Sequence, residues 1–396
     1  MINEQKNYYN KYLDSCINKN LCEQKEKINK EEDDYISEKT NSNSNEENQN
    51  KYINEINIFS PYFILDQNLS RNLQKKLKND IQYSNQYFFP NLCQNYSKKD
   101  FFNLICDQFG NYLFQVLLEV LNDENLQIFL NLIKDNFYLI GINSFGTRVI
   151  QKLIIIIENK EIIYNHFNNI LFQSIDKLIL TSHGNHIIQK YIEEIKYPKN
   201  ENVYNFILLN FIKICINKFG CCTIQKCFQK APKEIKEKLL NLFFNNLFFL
   251  LYEQYGTYVF QFVIENEPIF LKIKTIKLVL PNLLNYCKIK YSSNVIEKCL
   301  EYNCKEIHQI ILDKILEKEE NIIDLILNPF GNYIIQKALC ICNSKHYDFI
   351  INIIGNNIEQ IQKVNFGAKL LLKLASNHIK LKNFFIKRKI VYPNNF

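Results

Sequence analysis

The spacings that would announce a catalytic or metal-binding protein are missing from this chain. Its thirteen cysteines are odd in number and contain no Cys-x-x-Cys, while Cys340-x-Cys342 and the adjacent Cys221-Cys222 lack zinc-site spacing. The six histidines (His166, His183, His186, His308, His346, His378) show no metal-ligand spacing either. No G-x-S-x-G, P-loop or G-x-G-x-x-G occurs, so neither a nucleophile elbow nor a nucleotide-phosphate loop is indicated. The start, Met1 to Lys6, has no apolar core of the signal-peptide kind. The longest apolar stretch, Leu239 to Leu251, is broken by Asn241, Asn245 and Asn246 and is too short to span a bilayer. The expectation is a non-enzymatic chain with no cofactor and no metal, with free thiols, in the cytoplasm.

Glycine is scarce, and its placement is informative. Of nine glycines, seven (Gly110, Gly146, Gly184, Gly220, Gly256, Gly331, Gly367) fall at one position of a recurring phrase. Phe109-Gly110-Asn111-Tyr112-Leu113-Phe114-Gln115 returns as Phe145-Gly146-Thr147-Arg148-Val149-Ile150-Gln151, and again as Phe330-Gly331-Asn332-Tyr333-Ile334-Ile335-Gln336. Counted from the residue after the glycine position, copies start at 111, 147, 185, 221, 257, 293 and 332, in steps of 36, 38, 36, 36, 36 and 39 residues. Such a period predicts a solenoid rather than two separate domains. Ser70-Arg71-x-x-Gln74-Lys75, with Leu69 in place of glycine, is read as a degenerate first repeat. Phe366-Gly367-Ala368-Lys369-Leu370-Leu371-Leu372-Lys373 loses the glutamine and is read as a capping half-repeat.

Composition divides the chain near residue 56. Residues 1–55 are rich in Asn, Lys, Glu, Gln and Ser and are expected to be mostly disordered, apart from a short helix near Tyr8 to Ile17. Residues 1–50 carry 7 Lys and 11 Asp or Glu, a balance of −4. Against a net charge of +7 for the whole chain, the remainder therefore carries +11, a bias that suits a polyanionic partner. Residues 56–396 are dense in Leu, Ile and Phe, with apolar residues recurring at three and four, so the predicted class is all-α. In the copy that starts at Asn111, helices are expected over Asn111–Leu121 and Glu124–Tyr138, with Asn122-Asp123 as turn and cap and a further short helix before Phe109.

A helical wheel at about 100° per residue sorts the phrase. Positions three, four and seven fall together on one side of the wheel and are apolar almost throughout, so they are assigned to the core. Positions one, two and five fall together on the other side and are expected to be displayed there. The displayed trios are Ser70, Arg71, Gln74; Asn111, Tyr112, Gln115; Thr147, Arg148, Gln151; and Asn185, His186, Gln189. They continue with Cys221, Cys222, Gln225; Thr257, Tyr258, Gln261; Ser293, Asn294, Glu297; and Asn332, Tyr333, Gln336. Position five is an amide seven times and a carboxylate once, and position two is Tyr, Arg or His in six of eight copies. Hydrogen-bonding groups beside a flat or cationic plane suit a nucleobase, whose edge they would bond and whose face they would stack on. Lysine at position six (Lys75, Lys152, Lys190, Lys226, Lys298, Lys337) falls just beyond position two on the wheel and is expected to meet phosphates.

On these residues the chain resembles the Pumilio (PUF) family of RNA-binding proteins over roughly 56–396. The resemblance implies a right-handed α-solenoid crescent of eight repeats with a C-terminal cap, monomeric on RNA, holding single-stranded RNA antiparallel to the chain with one base per repeat. In that family Asn-Tyr…Gln goes with U, Ser-Asn…Glu with G, and Ser- or Cys-Arg…Gln with A. Carried over, Asn332, Tyr333 and Gln336 read the 5′ U; Ser293, Asn294 and Glu297 read G; Thr257, Tyr258 and Gln261 read U; and Cys221, Cys222 and Gln225 read A without the stacking arginine. Asn185, His186 and Gln189 hold a tolerant position, followed by A (Thr147, Arg148, Gln151), U (Asn111, Tyr112, Gln115) and A (Ser70, Arg71, Gln74). The implied site is 5′-UGUANAUA in mRNA 3′ untranslated regions, with translational repression or mRNA decay effected by recruited repressor or deadenylase proteins. Two other readings remain: a nucleolar relative of low sequence selectivity, and a helical protein-interaction scaffold of the armadillo or HEAT type.

Overall fold

The computed structural model describes residues 64–387, and every regular element among them is helical. The helix expected near Tyr8–Ile17 and the boundary near residue 56 lie outside the described residues. Each repeat supplies a short helix, an inner helix and an outer helix. The inner helices, the only ones numbered here, are α1 (Gln67–Asn79), α2 (Gly110–Val120), α3 (Gly146–Ile157), α4 (Gly184–Glu194), α5 (Gly220–Lys230), α6 (Gly256–Asn266), α7 (Lys290–Glu301), α8 (Gly331–Ile341) and α9 (Gly367–Asn377). From α1 to α8 each packs against the next. Outer helices pack in the same sense, Asp123–Ile133 on Glu161–Phe172 and Ile269–Val279 on Lys305–Ile315. This is the α-solenoid that the sequence period predicts.

Local chemistry fixes where the inner helices begin. Seven of the nine start at the repeat glycine. Ahead of α2, the Asp107 carboxylate accepts from the backbone N–H of Phe109 at 2.7 Å and of Gly110 at 2.8 Å. Asn143, Asn217 and Asn328 serve α3, α5 and α8 in the same way, and Thr181 serves α4. These contacts satisfy amide donors that a helix start leaves without intrahelical partners. The glycine itself answers a close approach, since a Cβ on Gly110 would lie 2.2 Å from the carbonyl oxygen of Leu104 at the end of the short helix Lys98–Ile105. No described glycine has a positive φ, so packing and not backbone conformation sets the requirement.

The two helices without that glycine solve the junction differently. In α7, Ser292 takes its place, is fully buried, and donates its hydroxyl to the Tyr286 carbonyl six residues back at 3.0 Å. The α7 helix then begins at Lys290, three residues before position one instead of one. The degenerate first repeat behaves alike: α1 begins at Gln67, with the Asp66 carboxylate accepting from the amides of Asn68 and Leu69.

Core assignments follow the wheel. Leu113, Phe114, Leu117, Ile187, Ile188, Ile334, Ile335 and Ala338 are fully buried, and Tyr191 nearly so. One boundary is corrected. The helix expected over Glu124–Tyr138 ends at Ile133, passes through a 3-10 turn at Lys134–Asn136, and restarts as Phe137–Ile142. Phe137 and Ile140 stay buried across this corner, so the apolar period runs on while the backbone turns. At the far end, the helix Ile379–Lys387 closes on the Ser344–Asn356 helix, where the Phe384 ring occupies the space a Cβ on Gly355 would need, 2.7 Å away.

Candidate nucleic-acid interface

The eight trios lie on eight consecutive inner helices and repeat one pattern of exposure. Position two is exposed in every copy: Tyr112, Tyr258 and Tyr333 at 47, 49 and 50% of their area, and Arg71, Arg148, His186, Cys222 and Asn294 likewise. Position five (Gln74, Gln115, Gln151, Gln189, Gln225, Gln261, Glu297, Gln336) is half-buried in every copy. Position one corrects the sequence reading. Ser70, Asn111, Thr147, Asn185, Cys221, Thr257, Ser293 and Asn332 are all buried, with 0 to 4% of their surface exposed. A solenoid helix is covered on its flanks by the neighbouring repeats as well as by the core, and only an arc around position two stays open. Position one, a single residue earlier on the helix, falls on a flank. The Thr147 hydroxyl shows this by donating to the His183 carbonyl of the next repeat at 3.2 Å.

Once buried, position one becomes the anchor for position five. The Asn111 amide donates to the carbonyls of Asp107 at 2.8 Å and Gln108 at 3.0 Å, and its oxygen accepts from Gln115 Nε2 at 2.9 Å. Asn185 and Asn332 repeat this arrangement, accepting from Gln189 Nε2 at 2.5 Å and Gln336 Nε2 at 2.9 Å. Ser70 and Thr147 accept from Gln74 and Gln151 at 3.2 Å each. With one N–H of each glutamine engaged, its oxygen and remaining N–H are left to meet a base edge, an acceptor beside a donor. Thr257 instead donates to the Gln254 carbonyl at 2.8 Å, and the Cys221 thiol lies 3.5 Å from the Lys218 carbonyl, so α5 and α6 hold their glutamines less firmly.

Across the row, Arg148 Nη1 donates to the Tyr112 hydroxyl at 3.4 Å, so position-two groups of adjacent repeats come within reach of one another. In α7 the position-five group is Glu297. Burial raises its carboxyl above the ordinary glutamate value, the Glu301 charge raises it further, and Lys337, Lys373 and Lys298 oppose the shift. Ser293 is bound to the Lys290 carbonyl at 3.2 Å.

Five of the six lysines at position six, all but Lys75, are already held in ion pairs. Lys152 pairs with Glu119, Lys190 with Glu194 at 2.6 Å, Lys226 with Glu193 at 3.5 Å, and Lys298 and Lys337 with Glu301 at 3.0 and 3.2 Å. The sequence reading missed the acids in this set. Glu119, Glu193, Glu265 and Glu301 all stand eight residues after position one, a recurrence visible in the sequence. Among the described residues no three His, Cys, Asp or Glu side chains converge to hold a metal ion, and no single helix is long and apolar enough to cross a membrane.

Fold and face together define a modular helical-repeat protein that presents one equivalent set of polar and flat side chains per repeat along a single row. A family model described as Pumilio-family RNA binding repeat matches residues 100–133, 136–162, 210–242, 290–316 and 321–354. The Pumilio domain-containing protein C4G8.03c of Schizosaccharomyces pombe is 41% identical over 315 residues, 79% of this chain and 39% of its own. Pumilio homolog 12 of Arabidopsis thaliana is 28% identical over 276 residues, 69% of this chain and 46% of its own. Among solved structures, the Puf4 RNA binding domain bound to the HO endonuclease RNA 3′ UTR recognition sequence superposes with a TM-score of 0.67 at 26% identity, covering 84% of this chain and 99% of that one. The RNA-binding domain of yeast Puf5p bound to MFA2 RNA gives 0.60 at 26% identity, covering 83% and 99%. The chain belongs to the Pumilio (PUF) family. It spans less than half the length of these curated relatives.

Proposed function

We propose that the chain binds single-stranded RNA selectively by sequence, one base per inner helix from α8 at the 5′ end to α1 at the 3′ end, and that its preferred site is 5′-UGUANAUA. The observation that carries this reading is the uniform geometry of the eight trios: position one buried, position two exposed, position five half-buried and, in five helices, hydrogen-bonded to position one. A protein-binding scaffold would have no reason to hold an amide at one angle on helix after helix. The solved RNA complexes of Puf4 and Puf5p support RNA as the ligand. We further propose that the sites lie in mRNA 3′ untranslated regions and that binding in the cytoplasm leads to repression or decay through recruited proteins.

Selection from a random RNA pool, followed by sequencing, tests the ligand and every base assignment together. Enrichment of UGUA followed two nucleotides later by UA is expected. Recovery of RNA without a consensus would replace this reading with the low-selectivity one, and recovery of no RNA would end both.

A further inference from the structure

An acid in the middle of a face that receives a polyanion weakens binding unless it has another task. On the wheel, the residue eight after position one lies between positions five and two, one turn further along the same stripe. Glutamate holds that place in α2, α4, α6 and α7. Three of these acids bridge lysines of different helices. Glu119 joins Lys78 of α1, at 2.9 Å, to Lys152 of α3. Glu193 holds Lys226 of α5 at 3.5 Å and stands 3.8 Å from Lys190 of its own helix, which Glu194 keeps paired at 2.6 Å, so Lys226 is the lysine that Glu193 controls. Glu301 joins Lys298, at 3.0 Å, to Lys337 of α8, at 3.2 Å. The carboxyls of Glu119 and Glu301 sit below the ordinary glutamate value because these lysines bond them.

We infer that Glu119, Glu193 and Glu301 act as a specificity filter by holding the lysines beside the reading stripe in ion pairs, so that RNA lacking the right bases gains little from phosphate contacts. This rests on the RNA-reading function proposed above. Phosphate attraction is blind to sequence and grows with each free cation, whereas base contacts discriminate. A lysine shared with a glutamate can be drawn to a phosphate only by giving up that partner. The exchange is worthwhile on a correct site, where base contacts fix the strand for long enough, and brings little return on an incorrect one. The acids are 34 to 38% exposed, so their pairs contribute little to folding by themselves.

The test compares the triple variant Glu119→Gln, Glu193→Gln, Glu301→Gln with a control of equal charge change away from the stripe. The control is Asp123→Asn, Asp135→Asn, Asp348→Asn, which breaks the exposed pairs with Lys160, Lys98 and Lys380. Each is titrated with UGUANAUA RNA and with a scrambled RNA of equal length over a range of salt concentrations. The filter predicts that the glutamate triple binds scrambled RNA at least tenfold more tightly, with little change on the cognate site. The slope of log affinity against log salt should steepen by roughly 0.7 for each lysine that engages a phosphate. The control should leave selectivity and slope as in the wild type. Equal effects in both triples, or none in either, overturn the filter while leaving RNA reading intact. Absence of any UGUA preference in the wild type instead overturns the reading beneath it. Should the glutamate triple unfold, Glu301→Gln alone gives the same comparison, with a smaller loss of selectivity expected and an unchanged ratio decisive against the proposal.

Discussion

At Glu297 a carboxylate stands where seven other repeats carry an amide, and the number of acceptors decides which base edge fits. A carboxylate offers two acceptors to the N1–H and N2–H₂ of guanine, while an amide offers one acceptor and one donor. Glu297→Gln should therefore move that position away from G by about 1–3 kcal/mol, taking the size of a good bidentate base contact; an unchanged preference for UG over UU RNA in competition binding would refute the assignment. The same group supplies a pH dependence. Burial holds its carboxyl above the ordinary glutamate value, so acidification protonates it before an exposed glutamate. In the free protein the raised value means that folding gains from proton uptake as pH falls and loses that gain as pH rises through the shifted value. For binding the sign is opposite, because guanine needs the ionised form, and selectivity for G should fade as pH drops toward the carboxylate range. The Gln variant should show no such trend when the titration is repeated. At Cys222 the exposed position offers a thiol where six other repeats offer a ring or guanidinium plane. Base stacking on such a plane is worth about 1–3 kcal/mol, so Cys222→Arg should tighten binding to UGUA RNA by roughly fivefold to a hundredfold in an anisotropy titration, and equal or weaker affinity would count against stacking there.

Single elements show which parts of this architecture can be read from sequence. The seven repeat glycines mark helix starts because each meets a carbonyl from the preceding short helix, a constraint that admits no side chain and so leaves a plain signal. The burial of position one leaves no such signal: Asn111 and Asn332 look like surface residues until the flanking helices are in place, and only then do they become anchors for Gln115 and Gln336. The corner at Ile133 is hidden for the opposite reason, since Phe137 and Ile140 continue the apolar period through it. The glycine constraint is graded and so can be tested. A Cβ would meet the Leu104 carbonyl oxygen at 2.2 Å from Gly110 but the Leu250 carbonyl oxygen at 2.8 Å from Gly256. Both Ala variants should destabilise, by about 1–3 kcal/mol as for overpacked cores, with Gly110→Ala the more costly in urea unfolding. Equal midpoints would mean that the short helix yields freely.

On the scale of the whole molecule, stability should be distributed as in a one-dimensional stack, because each repeat touches little beyond its neighbours. The α5 helix packs against both α4 and α6, whereas α9 packs on the short helix Ile358–Gln362 and the terminal helix Ile379–Lys387. Ile224 in α5 and Leu374 in α9 are both buried, at 0 and 2% exposure. Truncating either to alanine removes a comparable apolar side chain, at about 2–5 kcal/mol where the surroundings cannot collapse. The consequences should differ in extent. Ile224→Ala weakens two inner-row interfaces at once, so amide exchange should rise across the array and RNA affinity should fall. Leu374→Ala should raise exchange only within 344–387, leaving the row from α1 to α8 protected and RNA bound as before. Segment-resolved hydrogen exchange on both variants separates these outcomes. A uniform rise in Leu374→Ala would show that the array unfolds as one unit, in which case every base-reading position depends on the cap.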